Sequence, residues 1–240
     1  MTFDRLFTRT SALAAAAAAA AAAVLAGCAS PPSHFYTLSP ADDAARGAPT
    51  VASANPALLI ELAPIDVPPQ VAKAQFVVQT DASRVDVLEQ RRWASLPGDE
   101  IRRALSGDLT QQLGTIDVYG SPRPEGVPVY RVSVRVQRFE SWPDSHALID
   151  AVWSVRSLAS QQVMTCRSVL DEKVGTGYDA LVEGHRHAVE ALSTAIASGV
   201  RALAAAPQPV MTPGSKTASR PKPMPPVACP AAAPAESGAG

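Results

Sequence analysis

The chain has 240 residues, a formal net charge of −1 and 47% hydrophobic residues, much of that fraction being alanine near the two ends. These values fit one modest soluble domain whose core comes from the middle of the chain. A charge so close to neutral gives no reason to propose nucleic acid as a partner, which usually leaves a clear basic patch.

At the start of the chain, Arg5 and Arg9 precede an Ala-rich apolar run from Leu13 to Leu25, the layout of a secretory signal. The run is shorter than the roughly 20 residues a membrane span requires. It ends in Leu25-Ala26-Gly27-Cys28, which resembles the bacterial lipobox, cut before the cysteine once its thiol carries a diacylglycerol. Residues 1–27 are therefore expected to be a lipoprotein signal peptide and Cys28 a lipidated anchor. Each buried methylene contributes about 0.8 kcal/mol, so two acyl chains hold firmly where one is marginal. Ala29, in place of the Asp that retains such proteins at the inner membrane, favours the periplasmic face of the outer membrane.

Residues 34–38 make a β-rich first strand, followed by a Pro, Ala and Asp-rich loop over 39–56. Residues 58–62 resume as a buried strand, which the prolines between Pro64 and Pro69 must end or place at an edge. Residues 76–80 and 84–88, joined by Asp81-Ala82-Ser83, read as a hairpin. A helix starts after Leu96-Pro97-Gly98-Asp99, with Ile101, Leu105, Leu109 and Leu113 on one stripe and Gly114 as its stop. Residues 116–119 form a short strand.

The clearest sheet signal is 130–137, where apolar side chains alternate with Arg131, Ser133 and Arg135, so one face is packed and the other solvated or partnered. Arg138-Phe139 breaks the alternation and implies a bulge. Residues 147–158 and 162–170 continue an antiparallel meander, with Ile149, Ala151, Trp153 and Val155 on one face. Thr176 to Asp179 has the spacing of a capping box and opens a long helix whose stripe runs from Tyr178 to Leu203. The fold class is α+β, a mostly antiparallel sheet with two main helices packed on one face, in a single domain over 28–206. Residues 207–240 are a Pro/Ala-rich tail that cannot bury a core and is expected to be disordered. Cys166 reads as a buried free thiol. A disulfide to Cys229 is allowed by an oxidising compartment but not implied.

Catalytic signatures are missing. Gly-x-Ser-x-Gly, His-Glu-x-x-His, Cys-x-x-Cys and the phosphate-binding loop do not occur, so the chain is expected to be no enzyme and to hold no metal or cofactor. His185 and His187, two positions apart on a helix, point roughly 200° apart at about 3.6 residues per turn and cannot share a ligand. His185 is expected in the core with a hydrogen-bond partner, and His187 at the surface. Trp93, Trp142 and Trp153 are read as core or interface residues rather than as a lipid-facing cluster.

Several short words in order resemble one family. Phe35-Tyr36-Thr37-Leu38 soon after the lipobox, Arg92-Trp93-Ala94 before the first helix, Tyr130-Arg131-Val132 and Arg138-Phe139-Glu140 around the alternating strand, and Tyr178-Asp179-Ala180-Leu181-Val182 at the final helix are similar to the ABC-type transport auxiliary lipoproteins, the PqiC-like family. Where that family often reads Leu-Asp-Arg-Pro-Gln, this chain has Val71-Ala72-Lys73-Ala74-Gln75, keeping a positive charge and the Gln. The resemblance implies a non-catalytic outer-membrane component of an MCE-type intermembrane lipid transport system. Its partners would be an MCE-domain protein and inner-membrane transport components, with self-association an open option. Lys73, Gln75, Arg92, Trp93, Arg131, Arg135 and Tyr178 are the candidates for contact with such partners. The rival readings are a generic envelope-assembly lipoprotein without a lipid-transport role, and a periplasmic enzyme that would need a compact set of converging polar groups.

Overall fold

The computed structural model describes residues 31–39, 56–207 and 227–230. The signal segment, the lipobox with Cys28 and most of the C-terminal stretch lie outside the described residues. In chain order the elements are β1 (His34–Tyr36), β2 (Leu59–Leu62), β3 (Gln75–Gln79), β4 (Val85–Trp93), α1 (Pro97–Leu113), β5 (Val129–Trp142), β6 (His146–Ser157), β7 (Val163–Lys173) and α2 (Tyr178–Ala205). The chain divides into two units, Met1–His34 and Phe35–Gly240. Of the first only residues 31–34 are described, and His34 opens β1; the second holds all that follows.

The alternation in β5 becomes a two-sided strand. Tyr130, Val132, Val134 and Val136 are buried, while Arg131, Ser133, Arg135 and Gln137 face outward. The register shifts between Val136 and Arg138, as the broken alternation predicts, and this returns Phe139 and Ser141 to the buried side. The β5-β6-β7 meander is antiparallel, with Trp153 of β6 opposite Cys166 of β7. Ile149, Ala151, Trp153 and Val155 line its inner face, each at most 2% exposed.

The four-stranded sheet has the order β2-β5-β6-β7, and β1-β4-β3 forms a second, three-stranded sheet. The larger sheet is mixed, because β2 runs parallel to β5, from Leu59 opposite Val129 to Leu62 opposite Val132. A parallel pair needs a long crossover, and here the β3–β4 hairpin and α1 supply it. Residues 116–119 do not form a strand: they make a single parallel bridge, Asp117 to Ile60. The Asp117 side chain replaces the ladder, accepting from the amides of Leu62 (3.1 Å) and Tyr119 (3.0 Å) and from Ser106 Oγ (2.9 Å).

Helix α1 buries Ile101, Leu105 and Leu109 and ends at Gly114, whose φ of 60° gives the left-handed cap. Helix α2 is long and apolar enough to cross a membrane by length and composition, but its stripe from Leu181 to Leu203 is buried against the sheet and α1. Gly199 permits that approach: a Cβ there would lie 3.0 Å from the Trp153 ring and 3.2 Å from Met164 Sδ. The start of α2 departs from the capping-box expectation. Gly177 is the N-cap at a φ of 90°, without a side-chain cap, and its amide donates to Asp144 Oδ1 in the β5–β6 turn (3.0 Å). The glycine's positive φ, not the Thr176 hydroxyl, sets the entry.

Cys166 is not a free thiol. It is joined to Cys229, and Val227 packs against the main core. Cys166 points inward from β7, the outermost strand, where the short segment 227–230 completes the cover.

Candidate interaction surface

Four of the residues in the family words, Tyr36, Trp93, Phe139 and Tyr178, meet at one aromatic junction. Phe76 of β3 stacks on Trp93 of β4, with centroids 4.6 Å apart, and meets Tyr36 of β1 and Tyr178 of α2 edge-on at 5.7 and 6.3 Å. Trp93 meets Phe139 of β5 at 5.9 Å, and Phe139 stacks on His185 at 4.1 Å. Arg91 joins the rim, its guanidinium 4.1 Å from the Tyr178 centroid and donating to the Tyr36 hydroxyl at 2.7 Å. Strand β4 explains the pairing: Arg91 and Trp93 are two apart and share a face. Neither Arg91 nor the carboxylate described next stands out in the sequence, though the Arg92-Trp93 word and the acidic first helical turn lie next to them.

That carboxylate is Glu100, in the first turn of α1 and wholly buried. It accepts from Thr37 Oγ1 (2.7 Å), the amides of Leu38 (2.9 Å) and Ser95 (3.0 Å), and Arg103 (3.1 Å), and it is also bonded to the Ser95 hydroxyl. Burial alone would raise its pKa, but the bonds from Ser95, Thr37, Leu38 and Arg103 more than offset it and hold the group below the ordinary glutamate range. Glu100 and Arg91 thereby fasten residues 36–38 to the body of the domain.

His185 is fully buried, with Nε2 2.8 Å from Ser141 Oγ and Nδ1 without a partner. Burial pushes its pKa down to about 3, so it is neutral. His187 lies at the surface, 3.1 Å from Glu183. Trp93 and Trp153 are core residues, and Trp153 Nε1 donates to Ser168 Oγ at 3.0 Å.

The outer face of the four-stranded sheet carries arginines that are already paired. Arg131 donates to Glu61 at 2.7 and 2.9 Å, and Arg123 bonds the same carboxylate. Arg138 grips Glu140 at 2.7 and 3.0 Å, and Arg167 grips Asp150 at 2.7 and 2.9 Å. The guanidinium beside each holds Glu140 and Asp150 below the ordinary carboxylate range. Arg135 sits 3.6 Å from Asp66, with both side chains more than 70% exposed.

The sequence-derived contact candidates therefore fall in three places. Gln75 and Arg92 pair across the β3–β4 hairpin at a register shift, with Lys73 half-buried in the turn just before it. Arg131 and Arg135 lie on the outer face of the other sheet, and Trp93 and Tyr178 belong to the aromatic junction. Among the described residues no group of three or more His, Cys, Asp or Glu is gathered to hold a metal.

Comparison with known proteins bears on the family and the fold. The family described as ABC-type transport auxiliary lipoprotein component matches residues 36–197. A crystal structure of an uncharacterized protein is similar in fold, with 21% identity and a TM-score of 0.56 over 71% of this chain and 99% of that one. A second similar fold is protein XCC0632 from Xanthomonas campestris, of the DUF330 family, with 15% identity and a TM-score of 0.50 over 62% of this chain and 87% of that one. No curated protein matches the chain. Because the family match spans most of the domain, from Tyr36 in β1 to Ala197 in α2, the chain belongs to the ABC-type transport auxiliary lipoprotein component family.

Proposed function

We propose that the chain is the non-catalytic docking subunit of an MCE-type intermembrane lipid transport system. Residues 1–27 are removed as a signal peptide, Cys28 is acylated, and the domain up to residue 206 is held at the periplasmic face of the outer membrane. There it receives an MCE-domain protein, whose inner-membrane transport components supply the energy. The observation that carries this reading is the junction of Tyr36, Arg91, Trp93 and Tyr178 with the Glu100 clamp beside it. Tyr36 follows Cys28 so closely that the tether reaches at most about 30 Å at roughly 3.6 Å per residue. A rigid grip at its end keeps the domain close to the membrane and the sheet's outer face available to a partner.

Two measurements test this. Radiolabelled palmitate should enter the wild-type chain and not a Cys28→Ala variant. In-cell photo-crosslinking from positions 131, 135 and 73 should recover an MCE-domain protein; recovery of other envelope proteins alone, with the label still on Cys28, would favour the generic envelope-assembly role instead.

A further inference from the structure

Strand β7 is the outermost strand of its sheet. Its outward side chains are Val163, Thr165, Arg167, Val169, Asp171 and Lys173, all exposed, and Val169 is 54% exposed. An open edge with a β-branched residue at its centre is a template for strand pairing. The charges select the register. When two copies meet antiparallel about a two-fold axis through Val169, Arg167 of each, which holds Asp150 through Nε and Nη2, stands with its Nη1 opposite Asp171 of the other, and the two Val169 side chains face one another. Directly opposed unlike charges and β-branched pairs stabilise an antiparallel ladder. An axis at Arg167 or at Asp171 opposes like charges, and one at Leu170 sets Arg167 against Lys173. An axis at Ser168 places Arg167 against Val169 and makes neither ion pair.

The segment 227–230 lies beside this strand, fastened through the Cys166–Cys229 disulfide, with Cys229 Sγ 3.3 Å from the Thr165 carbonyl oxygen. In the Val169 register Cys166 and Thr165 would face Glu172 and Lys173 of the second copy. The segment occupies the flank on which that end of the incoming strand would lie.

We propose that β7 is a self-pairing edge and that the disulfide-latched C-terminal segment is its cover. A dithiol reductant opens the latch: the S–S bond receives two electrons and two protons and becomes two thiols, while the dithiol becomes a disulfide. Residues 227–230 then leave, and a second copy of this chain adds its β7 to the sheet. This holds whether or not the chain serves lipid transport.

The test is sedimentation velocity on the full chain in detergent. The sedimenting mass should double on adding dithiothreitol, or in a Cys166→Ser/Cys229→Ser variant, relative to the oxidised chain. Asp171→Arg in the double-serine background should restore the mass of the oxidised chain, because it sets Arg opposite Arg167, with circular dichroism confirming that each variant is folded. An unchanged mass on opening the latch would overturn the proposal. So would a doubled mass that survives Asp171→Arg, or an oxidised chain that already pairs through an Asp171-sensitive contact.

Discussion

Replacing Glu100 by Ala tests whether the stretch that follows the anchor is held by one buried carboxylate. The side chain is fully buried and serves donors from three places, Thr37 and Leu38 after β1, Ser95 before α1 and Arg103 on α1. Arg103 is 55% exposed and regains water when its partner goes, so little is lost there. Leu38 is 2% exposed, and its amide would be left unpaired in the interior, costing about 1–3 kcal/mol. Adding partial losses at Thr37 and at the Ser95 amide gives about 3–4 kcal/mol, within the roughly 3–5 kcal/mol seen when a buried charged pair is broken. Urea unfolding followed by circular dichroism should show that loss, and hydrogen exchange should show the Leu38 amide opening first. Because the Glu100 pKa is depressed in the folded chain, its contribution is present above the ordinary glutamate value and is lost as pH falls through the folded one. A loss below about 1 kcal/mol, or a Leu38 amide that stays protected, would refute the clamp.

Three other perturbations follow from the same structure. The unfolded chain binds a proton at His185 near pH 6.5 and the folded one only at about 3, so stability falls as pH drops below about 6.5, by up to ~1.4 kcal/mol per unit; His185→Gln should remove that slope between about pH 6.5 and 4.5 in urea titrations. Cys166 and Cys229 are 63 positions apart, a closed loop whose restriction of the unfolded chain is worth about 4 kcal/mol at most. Reduction should therefore lower stability by about 2–4 kcal/mol in matched unfolding curves with and without reductant. Gly199→Ala should cost about 1–2 kcal/mol, since its Cβ would press on Trp153 and Met164, whereas Gly107→Ala, with nothing within 4 Å of its Cβ, should gain up to about 1 kcal/mol from helix propensity. Equal effects at the two glycines in thermal melts would show that the α2–sheet contact is not as close as described.

The elements legible in the sequence are those whose period survives burial. The alternation over 130–137 and the four-residue spacing of Ile101, Leu105 and Leu109 give β5 and α1 with their correct faces. The direction of β2 was not legible, because Leu59–Leu62 is buried on both faces and a short, mostly apolar strand carries no mark of which way it runs. The disulfide was hidden for a similar reason, since its partner sits in a Pro-rich stretch that does not resemble a folded element. At the aromatic junction, some family words name neighbours of the residues that make the bonds: Arg91, beside the Arg92 of the motif, grips Tyr36 and Tyr178.

The pairing of the outer-face arginines bears on how a partner could use that surface. Arg131 is half exposed but its partner Glu61 is only 8% exposed, so an acidic partner that drew Arg131 away would leave a buried carboxylate with Arg123 alone. Stranding a buried charge costs more than an exposed ion pair returns. Arg167 keeps Asp150, which is 2% exposed, by the same logic; those bonds run through Nε and Nη2, so an added carboxylate at the β7 edge meets Nη1 without breaking them. Arg135 is different: it and Asp66 are both highly exposed and 3.6 Å apart, a contact that contributes little and is cheaply exchanged. Electrostatic recognition on this face should therefore centre on Arg135. Arg135→Ala should reduce crosslinking to a partner without lowering stability measurably, whereas Arg131→Ala should lower both.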